Sequence, residues 1–343
     1  APEKVPDHLH WFYWESYSTW LTGFALFTVS YLWSASTYLI DKSLMNWSSG
    51  AAIGVAVSFL VVFWMIYDLI CQIFGKRKNG DAIVGALIFL VVCGASWLAC
   101  HWFAGRAAFL LVGAMIATAM SANVFFWIIP GQRTTVKDLR EGRPVDPIHG
   151  QRAKQRSVHN TYFTLPVLFA MLSNHYSFTY TNQYNWVVLI LMMLAGALIR
   201  QFFVMRHGFK LGRNGHPWPY AAVGVAVIVG AIVWLKPASQ PAPVAGIATN
   251  SVAGSAYSTG SDGQNGYKNV QKILEQRCYL CHGAEVQMKN VRLDSPALVK
   301  QHALAVYQQV VVTKIMPMNN ATQITDAERA VIGKWFNDGA KTE

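Results

Sequence analysis

Seven long apolar stretches limit what this sequence can fold into. A helix needs about 20 mainly apolar residues to cross the roughly 30 Å hydrocarbon core of a bilayer. Stretches of this kind occupy residues 17–40, 49–74, 82–102, 107–129, 158–176, 186–205 and 219–235. We therefore predict an all-α fold whose first domain, residues 1–236, is a polytopic membrane domain of about seven transmembrane helices.

The composition agrees with a membrane domain. Only 13% of the residues are charged and 53% are hydrophobic, whereas charged residues make up about 25% of soluble domains. The formal net charge of +11 does not indicate nucleic-acid binding, because the inner loops of membrane proteins collect Lys and Arg. We expect membrane lipid, and no nucleic acid, as a partner of this domain.

The basic residues also predict an orientation. They follow the second, fourth and sixth apolar stretches, at residues 76–78, 133–156 and 206–213, whereas the loops after the odd stretches are nearly bare. Basic loops face the cytoplasm. The chain's start is therefore expected in the cytoplasm, and the segment after the seventh stretch in the periplasm.

That last segment carries the strongest motif in the sequence, Cys278-Tyr-Leu-Cys281-His282. In a C-x-x-C-H run, two thiols bond a c-type haem and the histidine ligates its iron. The other three cysteines lie in apolar stretches and are expected to be small buried side chains. The motif predicts one covalent haem c, attached on the periplasmic side where the loop charges place it.

A small class I-like cytochrome c domain is predicted over residues 266–343. Residues 237–265 are rich in Pro, Ala, Ser and Gly, which indicates a flexible linker. Val270, Ile273 and Leu274 predict a first helix that runs into the haem motif. Thr325-x-x-Glu328 predicts a capping box at the start of a final helix.

The sixth ligand of the haem iron is expected downstream of the motif. Met316 is our first choice because its Met-Pro order resembles the ligand loop of class I cytochromes c, and Met318 is the second. A methionine at either position could instead be a core side chain.

Polar residues within the apolar stretches are functional candidates, because they are costly in lipid. The predicted orientation divides them into two layers. The inner layer holds Asp68, His159, Asn160 and Arg200, with Arg133 just beyond, and the outer layer holds His101, Asn174 and His175. Each layer could bind a substrate with His or Asp moving protons, the histidines could ligate a non-covalent membrane haem, or the residues could be interfacial or helix-capping.

Residues 156–176, RSVHNTYFTLPVLFAMLSNHY, resemble the membrane-bound urate oxidase (urate hydroxylase) family of bacteria. The opening Pro6-x-His8-Leu-x-Trp11-Phe-x-Trp14-Glu15 and the later Tyr38-Leu-Ile-Asp41 are also similar, and the resemblance extends over essentially the whole chain. The family joins a multi-span domain to a C-terminal cytochrome c in the inner membrane. It usually has eight spans, so we expect this sequence to lack the first one.

The resemblance implies an oxidoreductase that converts urate and water into 5-hydroxyisourate, two electrons and two protons. The electrons would pass to the haem and on to an acceptor such as a cytochrome c or a terminal oxidase. Because urate arises in the cytoplasm and the haem is expected outside, either the urate pocket lies in the outer layer or a relay crosses the membrane. The alternative function is a membrane-anchored cytochrome c subunit of a larger respiratory complex.

Overall fold

The computed structural model describes residues 13–42, 44–77, 79–213, 215–235, 263–284, 286–288 and 291–342. The chain divides into two compact units, Ala1–Trp234 and Leu235–Glu343. The regular structure in the described ranges is helical, and no strand occurs in them. The part of the resemblance at residues 6–12 and most of the predicted linker lie outside the described residues. Residues 263–265, assigned to the linker, belong instead to a helix.

The described helices of the first unit are α1 Tyr13–Phe27, α2 Ala35–Tyr38, α3 Ser49–Phe74, α4 Gly80–Trp102, α5 Gly105–Asn123, α6 Ile129–Arg140, α7 Pro147–Leu172, α8 Ser177–Tyr180, α9 Asn185–Lys210 and α10 Trp218–Leu235. Four of them, α3, α4, α9 and α10, correspond closely to apolar stretches.

Five helices in the described residues are long and apolar enough to cross a membrane: α3, α4, the continuous segment Gly105–Arg140, α9 and α10. This is consistent with a membrane protein. The expected number was about seven, and two stretches fall short because they carry polar residues. Helix α1 continues through Thr28–Leu32, but its first turns hold Glu15, Ser16 and Ser18. Helix α7 is long enough but carries many polar residues in its first half.

The first apolar stretch does not form one helix. After α1 the chain continues through a π-helical turn, Thr28–Leu32, and leaves helical geometry at Ser34 (φ −116°, ψ 55°). The hydroxyl of Thr28 donates to the carbonyl of Phe24 at 2.9 Å. Such back-bonding by Ser and Thr competes with the helix backbone and bends it.

The fourth stretch extends beyond its predicted end at residue 129 to Arg140. Proline has no N–H and crowds the carbonyl four residues before it, so a proline inside a helix usually ends or kinks it; Pro130 does not end this one. A π-helical segment, Val124–Ile128, precedes the proline and widens the helix at that point. The fifth stretch also begins earlier than expected, because Asp146 caps α7 and Pro147 occupies its first turn.

Helix α5 lies in the centre of the first unit, where it packs against α3, α4 and α7. Its small residues let neighbouring helices come close. A Cβ added at Gly113 would lie only 2.7 Å from the Cβ of Ala170, so a glycine is required there. This close approach of α5 and α7 determines which polar side chains of the two helices can meet.

The second unit is built from short helices around a small core. Its described helices are α11 Gly263–Arg277, α12 Tyr279–His282, α13 Pro296–Gln301, α14 Ala303–Val306 and α15 Asp326–Asn337. The core includes Val270, Ile273 and Leu274 of α11, as the sequence predicted. The capping box of Thr325 and Glu328 at the start of α15 is confirmed.

Candidate functional site

A buried ion pair anchors a polar network inside the first unit. Arg156 of α7 donates to Asp68 of α3 at 2.6 Å, and the two side chains are only 4% and 15% exposed. Two further donors reach the same carboxylate, Trp127 Nε1 at 2.7 Å and Gln72 Nε2 at 2.6 Å. The carboxylate thus receives three hydrogen bonds, which offset the cost of removing its charge from water.

Asn123 of α5 connects this ion pair to the rest of the network. Its Oδ1 accepts from Arg156 Nη1 at 3.3 Å. Its Nδ2 donates at 2.9 Å to both the hydroxyl of Tyr67 and Oδ1 of Asn160. Asn123 is fully buried, so its amide is held between three helices by these bonds.

His159 is at the end of this network. Its Nδ1 lies 3.0 Å from the hydroxyl oxygen of Tyr67 and 3.7 Å from the Sγ of Cys71. Arg156, His159 and Asn160 share one face of α7, because residues three and four positions apart are neighbours on a helix. The predicted residues Asp68, His159 and Asn160 are therefore brought together in one network.

A cavity of about 1040 Å³ lies between α4, α7 and α9, and His159 is on its wall. Its lining runs from the basic ends of these helices to their middle, so the predicted orientation places it in the inner half of the membrane. The size suits a small organic molecule, since ligand pockets enclose about 300–1,000 Å³. Its main polar lining groups are Asp81, Arg152, Gln155, His159, Tyr162 and Gln201.

Two cavity groups facing each other form a fixed hydrogen bond. The hydroxyl of Tyr162 donates to Oε1 of Gln201, which leaves the Nε2 hydrogens of Gln201 for a ligand. Phe163 and Pro166 supply apolar wall beside them. The neighbouring Arg200 does not line the cavity; its Nε donates to the carbonyl of Thr161 at 3.1 Å.

Positively charged side chains line the inner end of the cavity. A smaller pocket of about 90 Å³ adjoins it there, and the two share Lys76, Arg152 and Gln155 as lining residues. The guanidinium of Arg152 lies 5.6 Å from the ring centroid of Trp127. An anion that approaches from this side meets two positive side chains before it reaches His159.

The predicted outer residues are not gathered into one site. Asn174 Oδ1 accepts from Tyr31 and Arg106 at 3.2 and 3.1 Å. His101 is exposed and its Nδ1 contacts the carbonyl of Trp97 at 2.7 Å. His175 is exposed in a short 3₁₀ turn. Within the described ranges, no contact joins two of the histidines at positions 101, 159 and 175.

The second unit presents the groups of the predicted haem site. Cys278 is buried and Cys281 is half-buried, and both are free thiols. Burial, with Cys281 beside it, raises the pKa of the Cys278 thiol to about 12. Nδ1 of His282 lies 3.1 Å from the carbonyl oxygen of Val291. This hydrogen bond fixes the ring and leaves Nε2 for a metal; histidines that ligate metals usually donate their other ring N–H to a neighbouring acceptor in this way.

Met316 packs against the core of the same unit. Arg329 donates to its carbonyl oxygen at 2.8 Å and so holds the backbone of the methionine loop. The thiols, imidazole and thioether fit the donor set of a covalent haem c. In the parts of the chain that are described, no group of three or more His, Cys, Asp or Glu side chains suited to a metal ion occurs.

Several hydrogen-bonding residues of the network were not predicted as site residues: Tyr67, Gln72, Asn123, Trp127 and Arg156. Arg156 was assigned to a basic loop, whereas α7 in fact begins at Pro147 and makes this arginine part of the helix. The spacing of Arg156, His159 and Asn160 was a usable signal for one polar helix face. Asn123 in an otherwise apolar stretch was another.

Comparison with known families gave one match. A family model described as urate oxidase N-terminal matches residues 1–236. Comparisons with curated proteins and with solved structures gave no match. The matched residues include the whole polar network and the cavity beside it.

Proposed function

The chain belongs to the urate oxidase N-terminal family, and we propose that it oxidises urate to 5-hydroxyisourate in the cavity between α4, α7 and α9. The family suggests a urate-related oxidoreductase. The observation that carries the proposal further is the composition of the cavity wall. His159 and the hydrogen-bonded pair Tyr162–Gln201 line the cavity together with apolar side chains, and basic residues line its inner end.

This wall matches the chemistry of urate, a flat purine that is a monoanion at neutral pH. Phe163 offers an aromatic side chain to the ring. The Nε2 hydrogens of Gln201 can reach a ring carbonyl, because Tyr162 already occupies the amide oxygen. Lys76 and Arg152 at the entrance attract the negative charge, which favours the anion over neutral purines.

The reaction adds the oxygen of one water to the purine. Urate and water give 5-hydroxyisourate, and two electrons and two protons leave. The cavity residues hold the purine and its water in contact and accept or donate hydrogen bonds at the ring edge. The inner position of the cavity suits a substrate that is produced in the cytoplasm.

Cys278 and Cys281 would hold a covalent haem c, His282 and Met316 would ligate its iron, and the group would supply the one-electron chemistry that takes electrons from urate. Such a group accepts one electron at a time, so one urate requires two transfers and an external acceptor such as a cytochrome c or a terminal oxidase. The cavity lies in the inner half of the membrane and the haem c is expected outside, so the electrons also need a relay across the membrane. A non-covalent haem held by histidines of the first unit is the candidate for that relay.

Anaerobic reduction of the protein's own haem by urate tests the proposal. We expect the purified full chain in detergent to show the absorbance of reduced haem c, with one urate consumed for every two haems reduced. His159→Asn should abolish or strongly slow this reduction. His101→Gln is the matched control at an exposed histidine and should reduce at the normal rate.

Absence of haem reduction by urate or by related purines would defeat the proposal. A pyridine haemochrome spectrum measures the haem type in the same sample. One haem c per chain is expected, and a b-type signal would show that a second haem relays electrons. Loss of activity in His101→Gln with normal activity in His159→Asn would move the substrate site to the outer layer.

A further inference from the structure

The polar network fixes the hydrogen positions on His159, and this defines what the side chain can do in the cavity. We infer that His159 is held as the neutral tautomer with its hydrogen on Nε2, and that it donates this hydrogen to the anionic purine instead of acting as the base. The role toward the purine rests on the proposed function, whereas the tautomer follows from the network alone.

The assignment begins at Arg156, whose guanidinium can only donate hydrogen bonds. Its Nη1 contacts one atom of the Asn123 amide, so that atom must be the oxygen. The amide nitrogen of Asn123 therefore faces Tyr67 and Asn160, at 2.9 Å from each acceptor. Arg156 thus determines the orientation of an amide that is fully buried.

Tyr67 transmits this orientation to His159. Its hydroxyl oxygen accepts a hydrogen from Asn123 Nδ2, so the hydroxyl hydrogen is available to donate. Two acceptors face this hydrogen: Nδ1 of His159, 3.0 Å away, and the thiol of Cys71. Sulfur is the weaker acceptor, so the hydrogen bond goes to Nδ1. When Nδ1 accepts this hydrogen bond, a neutral imidazole must carry its own hydrogen on Nε2.

The position of the ring favours the neutral form. His159 is 8% exposed and lies one helical turn from Arg156, so a second positive charge there would be costly. Nε2 has no hydrogen-bond partner among the described residues, and His159 contributes to the cavity wall. Its hydrogen is therefore free for a ligand in the cavity.

A donor at this place suits the chemistry of an anionic purine. Fixed donors stabilise negative charge strongly in a site that excludes water, because they need no reorganisation during the reaction. His159 then touches the substrate, whereas Tyr67, Asn123 and Arg156 are positioning residues. A proton acceptor must come from elsewhere in the wall, and Asp81 is the one carboxylate among the described residues that line the cavity.

Two substitutions of His159 separate a donor from a base. The amide nitrogen of Gln extends to the place of Nε2 and can donate, whereas the shorter Asn reaches only the place of Nδ1. If His159 is a donor, His159→Gln should keep kcat for urate within about tenfold of the wild type, and His159→Asn should lose about 100-fold or more. Equal, severe losses in both variants would show that His159 is the base and overturn the inference.

Tyr67→Phe tests the positioning role. It removes the hydroxyl that holds Nδ1 and should lower kcat by at least about tenfold with little change in KM. In the His159→Gln background the same change should have no further effect, because the imidazole that it positions is gone. A loss that is equally large in both backgrounds would mean that Tyr67 only stabilises the fold.

The tautomer of His159 can be measured without substrate, so this test does not depend on the proposed function. ¹⁵N-histidine NMR of the full chain, with the His159 signal assigned from its loss in His159→Gln, should show a neutral ring with hydrogen on Nε2 at neutral pH. A hydrogen on Nδ1, or on both nitrogens, would overturn the inference. If urate fails to reduce the haem while NMR finds the expected tautomer, the proposed function fails and the network assignment stands.

Discussion

Replacing Asp68 by Asn should destabilise the first unit strongly. The substitution keeps the shape of the side chain but leaves the guanidinium of Arg156, which is 4% exposed, without its counter-charge. It also replaces one carboxylate oxygen by an NH₂ group, which cannot accept the hydrogen bond that Trp127 or Gln72 donates there. Breaking a buried ion pair costs about 3–5 kcal/mol. For a unit of this size, Tm should fall by roughly 6–20 °C.

Thermal unfolding of the purified protein in detergent, followed by tryptophan fluorescence, measures this shift. Asp138→Asn is the matched control, because Asp138 pairs with Arg143 at 2.6 Å and Arg143 is 51% exposed. An exposed pair contributes only about 0–1 kcal/mol, so the control should lose about 4 °C at most. Equal Tm shifts for the two variants would refute the reasoning. Adding Arg156→Gln to Asp68→Asn should recover part of the loss.

Three further predictions concern the second unit. Cys281→Ala should prevent normal haem attachment, and in-gel haem staining at full intensity would contradict the assignment. Met316→His should lower the haem potential in a redox titration, since Met/His ligation raises it, and an unchanged potential would identify Met318 as the ligand. Burial raises the pKa of the Glu328 carboxyl, but hydrogen bonds from Thr325 and Arg277 outweigh this and hold it below 4.5. The ionised carboxylate therefore stabilises the folded state above pH 4.5, and this stabilisation is lost as the pH falls through the pKa of Glu328 in the folded protein. Glu328→Gln should remove this acid dependence of the free energy of unfolding while keeping the helix cap.

Helix positions were predictable where local chemistry marks their ends. Helix α3 begins and ends at Ser49 and Phe74 as expected, because Ser48 caps its start and polar residues follow its end. The start of α15 was predictable from the Thr325 capping box for the same reason. These signals lie within a few residues of the boundary and depend on no distant partner.

The polar network was not predictable as a whole, because it depends on how three helices are rotated against each other. Asp68, His159 and Asn160 could be named one by one as costly polar residues in apolar stretches. Asn123 bonds directly to Asn160, and its bonds to Arg156 and Tyr67 connect it to the other two. It becomes central because α5 and α7 lie close together, an approach that Gly113 permits. Hydropathy and charge contain no information about that approach.

The polarity of α7 has a consequence for how the protein is made. A helix with Arg156, His159 and Asn160 on one face enters a bilayer poorly by itself, because each of these groups is costly in lipid. Its partners are on α3 and α5, which precede it in the sequence and leave the ribosome first. We therefore expect insertion of α7 into a membrane to depend on helices that are already in place, and a defect in the network to appear during biosynthesis as failed insertion.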